Sequence, residues 1–118
     1  MADDLNTALK YRKGVNLTEL KVKVYLDDER PTPKGWKRTF TVAETISLLE
    51  TGNVTELSLD HDLGNDDPGT GYDVILWIEE AVYLQNFTPP KIYVHSANSS
   101  ARQKMLLGIQ AIEKMNCK

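Results

Sequence analysis

The period of apolar residues changes several times along the chain, and each change predicts an element. "KVKVYL", Lys21 to Leu26, is β-branched and aromatic and runs into "DDERPTP", whose prolines stop it, so it predicts a strand ending in acids. "WKRTFT" predicts a second short strand. In "TVAETISLLETG" the apolar positions Val42, Ile46 and Leu49 fall at helical spacing, with Thr41 placed to cap the start and Gly52 to stop the end. "TELSLD" predicts another strand, followed by a loop rich in Asp and Gly. "YDVILWIEEAVYLQN" returns to helical spacing at Val74, Ile78, Ala81 and Val82, while Ile75, Leu76 and Trp77 widen the apolar face so that much of this helix should be covered. "PPKIYVHSAN" excludes helix at its prolines and predicts a strand over Lys91 to Val94. Met105, Ile109 and Ile112 then predict a closing helix over Ser99 to Met115, with Ser99 or Ser100 available as its cap.

Strands alternating with helices in this order predict an α/β fold with a mostly parallel, about four-stranded sheet and helices on its faces. Residues 1–20 are mixed and polar around "KYRKG" and read as an extension with one short helix near Asp4 to Tyr11, leaving 21–118 as the domain. In sheets of this type ligands bind outside the carboxyl ends of the strands. Three predicted strands deliver polar groups to that end: Asp27, Asp28 and Glu29 from one, Asp60, His61 and Asp62 from another, His95 and Ser96 from a third.

Composition narrows the functions available. A chain of 118 residues, 41% of them hydrophobic, can bury a core as one domain without disulfides. Its 14 basic and 17 acidic side chains give a formal charge of -3, which offers no basic face for wrapping duplex DNA. Small phosphorylated ligands remain open, because a bound metal supplies local positive charge. The lone Cys117 has no disulfide partner and reads as a bystander. No apolar run approaches ~20 residues and no basic-then-apolar leader opens the chain, so the expectation is a soluble cytoplasmic protein with no membrane partner. Composition leaves the oligomeric state open.

Asp27, Asp28 and Asp60 in one crevice repel one another, and a divalent cation resolves that repulsion, with Asp62 as a further ligand or merely a turn residue. Carboxylate ligation favours magnesium or manganese. His61 and His95 leave two readings open: ligands for a softer metal such as zinc, or general acid and base near neutral pH. Ser96, Asn98 and Arg102 are candidate phosphate contacts, with helix capping as the competing reading for Ser96 and Asn98 and a solvated helix face for Arg102. Asp66 and Asp67 read as solvated loop residues. Gly69 and Gly71 read as positions of positive φ or close approach. Trp36, Tyr72 and Trp77 read as packing.

The runs "YLDDERPTPKGW", "ELSLDHDLG" with "GTGYDVILWIEE", and "VHSAN" together resemble the family of cyclic-phosphate-processing receiver domains, over about Val22 to Ile112. The resemblance implies a flavodoxin-like, receiver-derived sandwich and a role on cyclic phosphates, in a family often associated with RNA repair. It implies that Asp27 and Asp28 match the receiver's acidic magnesium pair, Asp60 its phosphorylated aspartate, and Ser96 its hydroxyl at the end of the fourth strand. The chain departs from ordinary receivers in two places. It offers no fifth strand with its lysine, and "RPTPKGW" replaces the first helix, so the expected fold is a truncated one. The expected function is a metal-dependent phosphoesterase acting on a cyclic nucleotide or an RNA terminus, with Asp60, His61 and His95 in catalytic roles. Two alternatives stand beside it: a degenerate receiver serving as an interaction module, and a protein that captures cyclic nucleotides without hydrolysing them.

Overall fold

The computed structural model describes residues 21–63 and 69–116; the helix expected near Asp4 to Tyr11, the loop residues Asp66 and Asp67, and Cys117 lie outside them. Four strands, β1 (Val22–Leu26), β2 (Lys37–Thr39), β3 (Val54–Leu59) and β4 (Lys91–Val94), alternate with three helices, α1 (Val42–Leu49), α2 (Gly71–Gln85) and α3 (Ser99–Asn116), after an initial β1–β2 step. All pairings are parallel and the sheet order is β2-β1-β3-β4. The chain leaves β1 towards β2 on one side and returns to β3 on the other, so the order reverses between β1 and β3. That reversal is where an open α/β sheet leaves its binding crevice.

Local chemistry fixes the helix ends. Thr41 is extended and its Oγ1 accepts the Glu44 N–H at 3.1 Å, starting α1 as the sequence predicts. Gly52 adopts φ +78 just beyond its end, a conformation that glycine reaches without penalty. Asp73 accepts the Thr70 N–H at 2.8 Å and holds the start of α2, while Asn86 stops it in the left-handed region at φ 58. At α3 the cap is Asn98, whose Oδ1 accepts the Ala101 N–H at 3.1 Å, in place of the expected Ser99 or Ser100. Asn98 stands one residue before the helix, where its short side chain reaches the unpaired N–H of the first turn.

Side-chain parity divides the sheet. Val24 and Leu26 of β1 and Leu57 and Leu59 of β3 are fully buried against Leu49 of α1, Val74, Ile75 and Ile78 of α2, and Met105, Ile109 and Ile112 of α3. Each fully buried side chain of this size contributes about 1.5–3 kcal/mol of transfer free energy. In α2 the apolar stripe is narrower than expected: Ile75 is buried, but Leu76 is 43% exposed and Trp77 packs edge-on against Phe87 at 5.5 Å. The opposite parity carries Lys23, Glu56 and Lys91 in one row and Arg38, Tyr25, Ser58 and Tyr93 in the next. Among the described residues no helix packs on that second face. Where helices were expected on both faces, this half of the sandwich is replaced by the proline-bounded 30–36 loop, whose Trp36 meets Tyr25 and Tyr93 edge-on at 6.2 and 6.4 Å.

Candidate functional site

Strand register builds the site. Leu26, Leu59 and Val94 are Cα partners across three adjacent strands. One residue further on, Asp27, Asp60 and His95 still hold the ladder, donating their N–H groups to Thr39, Leu26 and Leu59 at 3.1, 3.0 and 3.0 Å. They therefore stand in one row, on neighbouring strands about 4.8 Å apart, across the point where the strand order reverses. One ligand atom from each lies within 4.8 Å of the others.

β3 separates β1 from β4, yet His95 reaches across it. The imidazole stacks on Tyr25 with centroids 4.2 Å apart and planes 3° from parallel. Its Nε2 lies 3.0 Å from Asp27 Oδ2, and its Nδ1 lies 2.7 Å from Ser58 Oγ. Ser58 lies directly beneath this crossing, and its small side chain leaves room for the rings to meet above β3. Asp27 is fully buried; its Oδ1 accepts the N–H groups of Glu29 and Arg30, both at 2.8 Å, and the Arg30 guanidinium stands 3.6 Å from Oδ2. Arg30 also donates to the His95 carbonyl, and Arg38 donates to the Arg30 carbonyl, which ties the loop after β1 to β4 and β2.

These surroundings set the protonation states. Burial pushes the Asp27 carboxyl up, but the N–H groups of Arg30 and Glu29, together with His95, outweigh it and hold the group below the usual carboxylate value. Burial raises Asp60; the His61 N–H at 2.8 Å opposes the rise and the Asp27 charge adds to it. Burial lowers His95, and its two aspartate neighbours recover only part of the loss. The row thus combines an ionised carboxylate, a second carboxyl raised chiefly by its burial, and a neutral imidazole. Two oxygens and one nitrogen at this separation fit a divalent cation, whose charge offsets both the burial that raises Asp60 and the Asp27 repulsion that adds to it.

The remaining candidates sit around this row. Asp28 is half-buried and outside the group of three. His61 directs its Nδ1 to Asp62 Oδ1 at 2.9 Å, and Asp62 is exposed, so this pair stands beside the row without joining it. Ser96 is buried, and its Oγ accepts the Asn98 N–H at 3.1 Å. Asn98 caps α3, and Arg102 donates from Nη1 to the Val94 carbonyl at 2.8 Å. Gly71 is needed for close approach: a Cβ there would stand 1.9 Å from the Asp60 carbonyl oxygen. Its φ is not positive; Gly35 and Gly52 hold that conformation. Tyr72 packs on the core beneath Lys104.

Sequence reasoning missed Ser58, Tyr25 and Arg30. Ser58 and Tyr25 each lie two residues before an aspartate of the row, on the same face, and the two-residue period of a strand was the signal that pointed to them.

Residues 22–111 match the family model described as the cyclic-phosphate processing Receiver domain. No curated protein and no solved structure matches the chain.

Proposed function

The chain belongs to the family of cyclic-phosphate processing receiver domains, and from that premise we propose that it hydrolyses a 2′,3′-cyclic phosphate on a nucleotide or an RNA end with the help of a divalent cation. The observation that carries the reading is the single row of Asp27, Asp60 and His95 at the ends of three adjacent strands. These three residues would hold the cation, and manganese, magnesium and zinc are the metals to try. The imidazole in the set weights the choice towards manganese or zinc. When bound, the cation supplies charge stabilisation at the phosphoryl oxygens.

The chain's own groups supply the rest. Asp62 accepts from His61 Nδ1, which leaves Nε2 with the lone pair in the neutral ring. His61 Nε2 takes the proton of an attacking water as a new P–O bond forms. The P–O bond to one ribose oxygen breaks, and that oxygen takes a proton from solvent, giving a phosphomonoester. Ser96 accepts from the Asn98 N–H and still carries a hydroxyl proton to donate to a phosphate oxygen.

Phosphorus NMR of a 2′,3′-cyclic nucleotide, with each metal in turn, tests this reading. Ring opening is expected only with metal, and a loss of about 10²-fold or more is expected in both Asp60→Asn and His61→Ala. Bound but intact substrate under every metal would replace hydrolysis with capture. Stable phosphorylation of Asp60 by a small phosphodonor, without ring opening, would favour the interaction module.

A further inference from the structure

Ser58 takes no part in the chemistry above, yet it is buried to 7% exposure at the back of the row and bonded to the one imidazole in it. Asp27 Oδ2, on the other side of the ring, is an acceptor. In the arrangement described, Nε2 therefore carries the proton towards Asp27, and Nδ1 receives the Ser58 hydroxyl. A ring held in that way has no free lone pair facing the row. To bind a cation through Nε2, the neutral ring must lose the proton from Nε2 and gain one at Nδ1, with no net change in protons. Nδ1–H then needs an acceptor in a buried place, and Ser58 Oγ is the atom 2.7 Å away.

We infer that Ser58 is the positioning residue that lets His95 exchange tautomers, donating to Nδ1 when the site is empty of cation and accepting from Nδ1–H when a cation is held. A hydroxyl serves both states by rotating about one bond. A methyl group serves neither, and a purely accepting or purely donating side chain serves one. Partners of this kind behind a ligating histidine typically change metal affinity 10- to 100-fold when removed.

This inference rests on the proposal that Asp27, Asp60 and His95 hold the cation, but it does not need turnover. The experiment titrates the whole chain and its Ser58→Ala and Ser58→Thr variants with zinc by calorimetry. Long-range proton–nitrogen correlation spectra are recorded alongside to identify which nitrogen of His95 carries hydrogen. Wild type should move from Nε2–H to Nδ1–H as zinc is added. Ser58→Ala should bind zinc about 10- to 100-fold more weakly, with Ser58→Thr close to wild type and the amide spectra showing all three folded. Zinc affinity in a folded Ser58→Ala within threefold of wild type would overturn the role, as would His95 retaining Nε2–H in the zinc-bound protein. Failure of wild type to bind zinc, manganese or magnesium would overturn it along with the cation site. Zinc that binds and flips the tautomer in a protein that opens no cyclic phosphate would sink the phosphoesterase reading and leave this one standing.

Discussion

At the scale of single residues, the row works through burial and neighbours rather than through unusual side chains. His95 has a measurable consequence for stability. Burial holds its pKa below the ordinary value, so in the unfolded chain the ring protonates at a pH where the folded one stays neutral. The neutral ring's contribution is therefore complete above about pH 6.5 and is lost as pH falls through the unfolded and then the folded value. Urea midpoints should rise with pH up to about pH 7, and His95→Gln should flatten that rise; an unchanged slope in the variant would assign it elsewhere. Asp60 acts in the opposite sense at lower pH, since a raised carboxyl favours the folded state when protonated and disfavours it as pH climbs through the folded value. The residues that set these states were unevenly legible in the sequence. The acids and histidines after each strand stand out because polar groups interrupt apolar runs. Ser58 looks like routine alternation, and no sequence spacing reveals that His95 leans over one strand to reach the next.

At the scale of elements, caps and loops decide which candidate residues are free to meet a ligand. Asn98 offered two readings in the sequence, and its side chain is engaged at the start of α3. Asn98→Ala should lower folding stability by about 1 kcal/mol, read from urea unfolding, with no change in the affinity for a cyclic nucleotide or in the KM of any turnover. A change in affinity beyond threefold would return the residue to the ligand. The strands and helices themselves were legible because each has a clear period and a chemically marked end. The proline-bounded 30–36 loop was legible as the loss of a helix. What the loss means was not: Arg30 within that loop ties Asp27 to His95, and this long-range tie leaves no local signal.

At the scale of the whole molecule, the described residues form a receiver-like sheet with one helical layer, and none of their helices is long and apolar enough to cross a membrane. The second face carries lysines over aromatic rings, Lys23 over Trp36 at 5.8 Å and Lys91 over Tyr93 at 5.5 Å, in place of an apolar seam. The β4 edge ends similarly in a side chain. His95 turns its N–H to β3, so alternation points the Val94 carbonyl outward, and Arg102 occupies it. The all-parallel order has a further consequence, in time rather than in space. Among the described residues no neighbouring strands are joined by a hairpin, so the central β1–β3 pair forms only after the chain through β2 and α1 has been drawn into a closed loop, an entropic cost met before most of the core is assembled. Refolding followed by tryptophan fluorescence should accordingly run in ~milliseconds to seconds rather than microseconds. A microsecond phase carrying the full amplitude would mean that the fold is organised before that loop is closed.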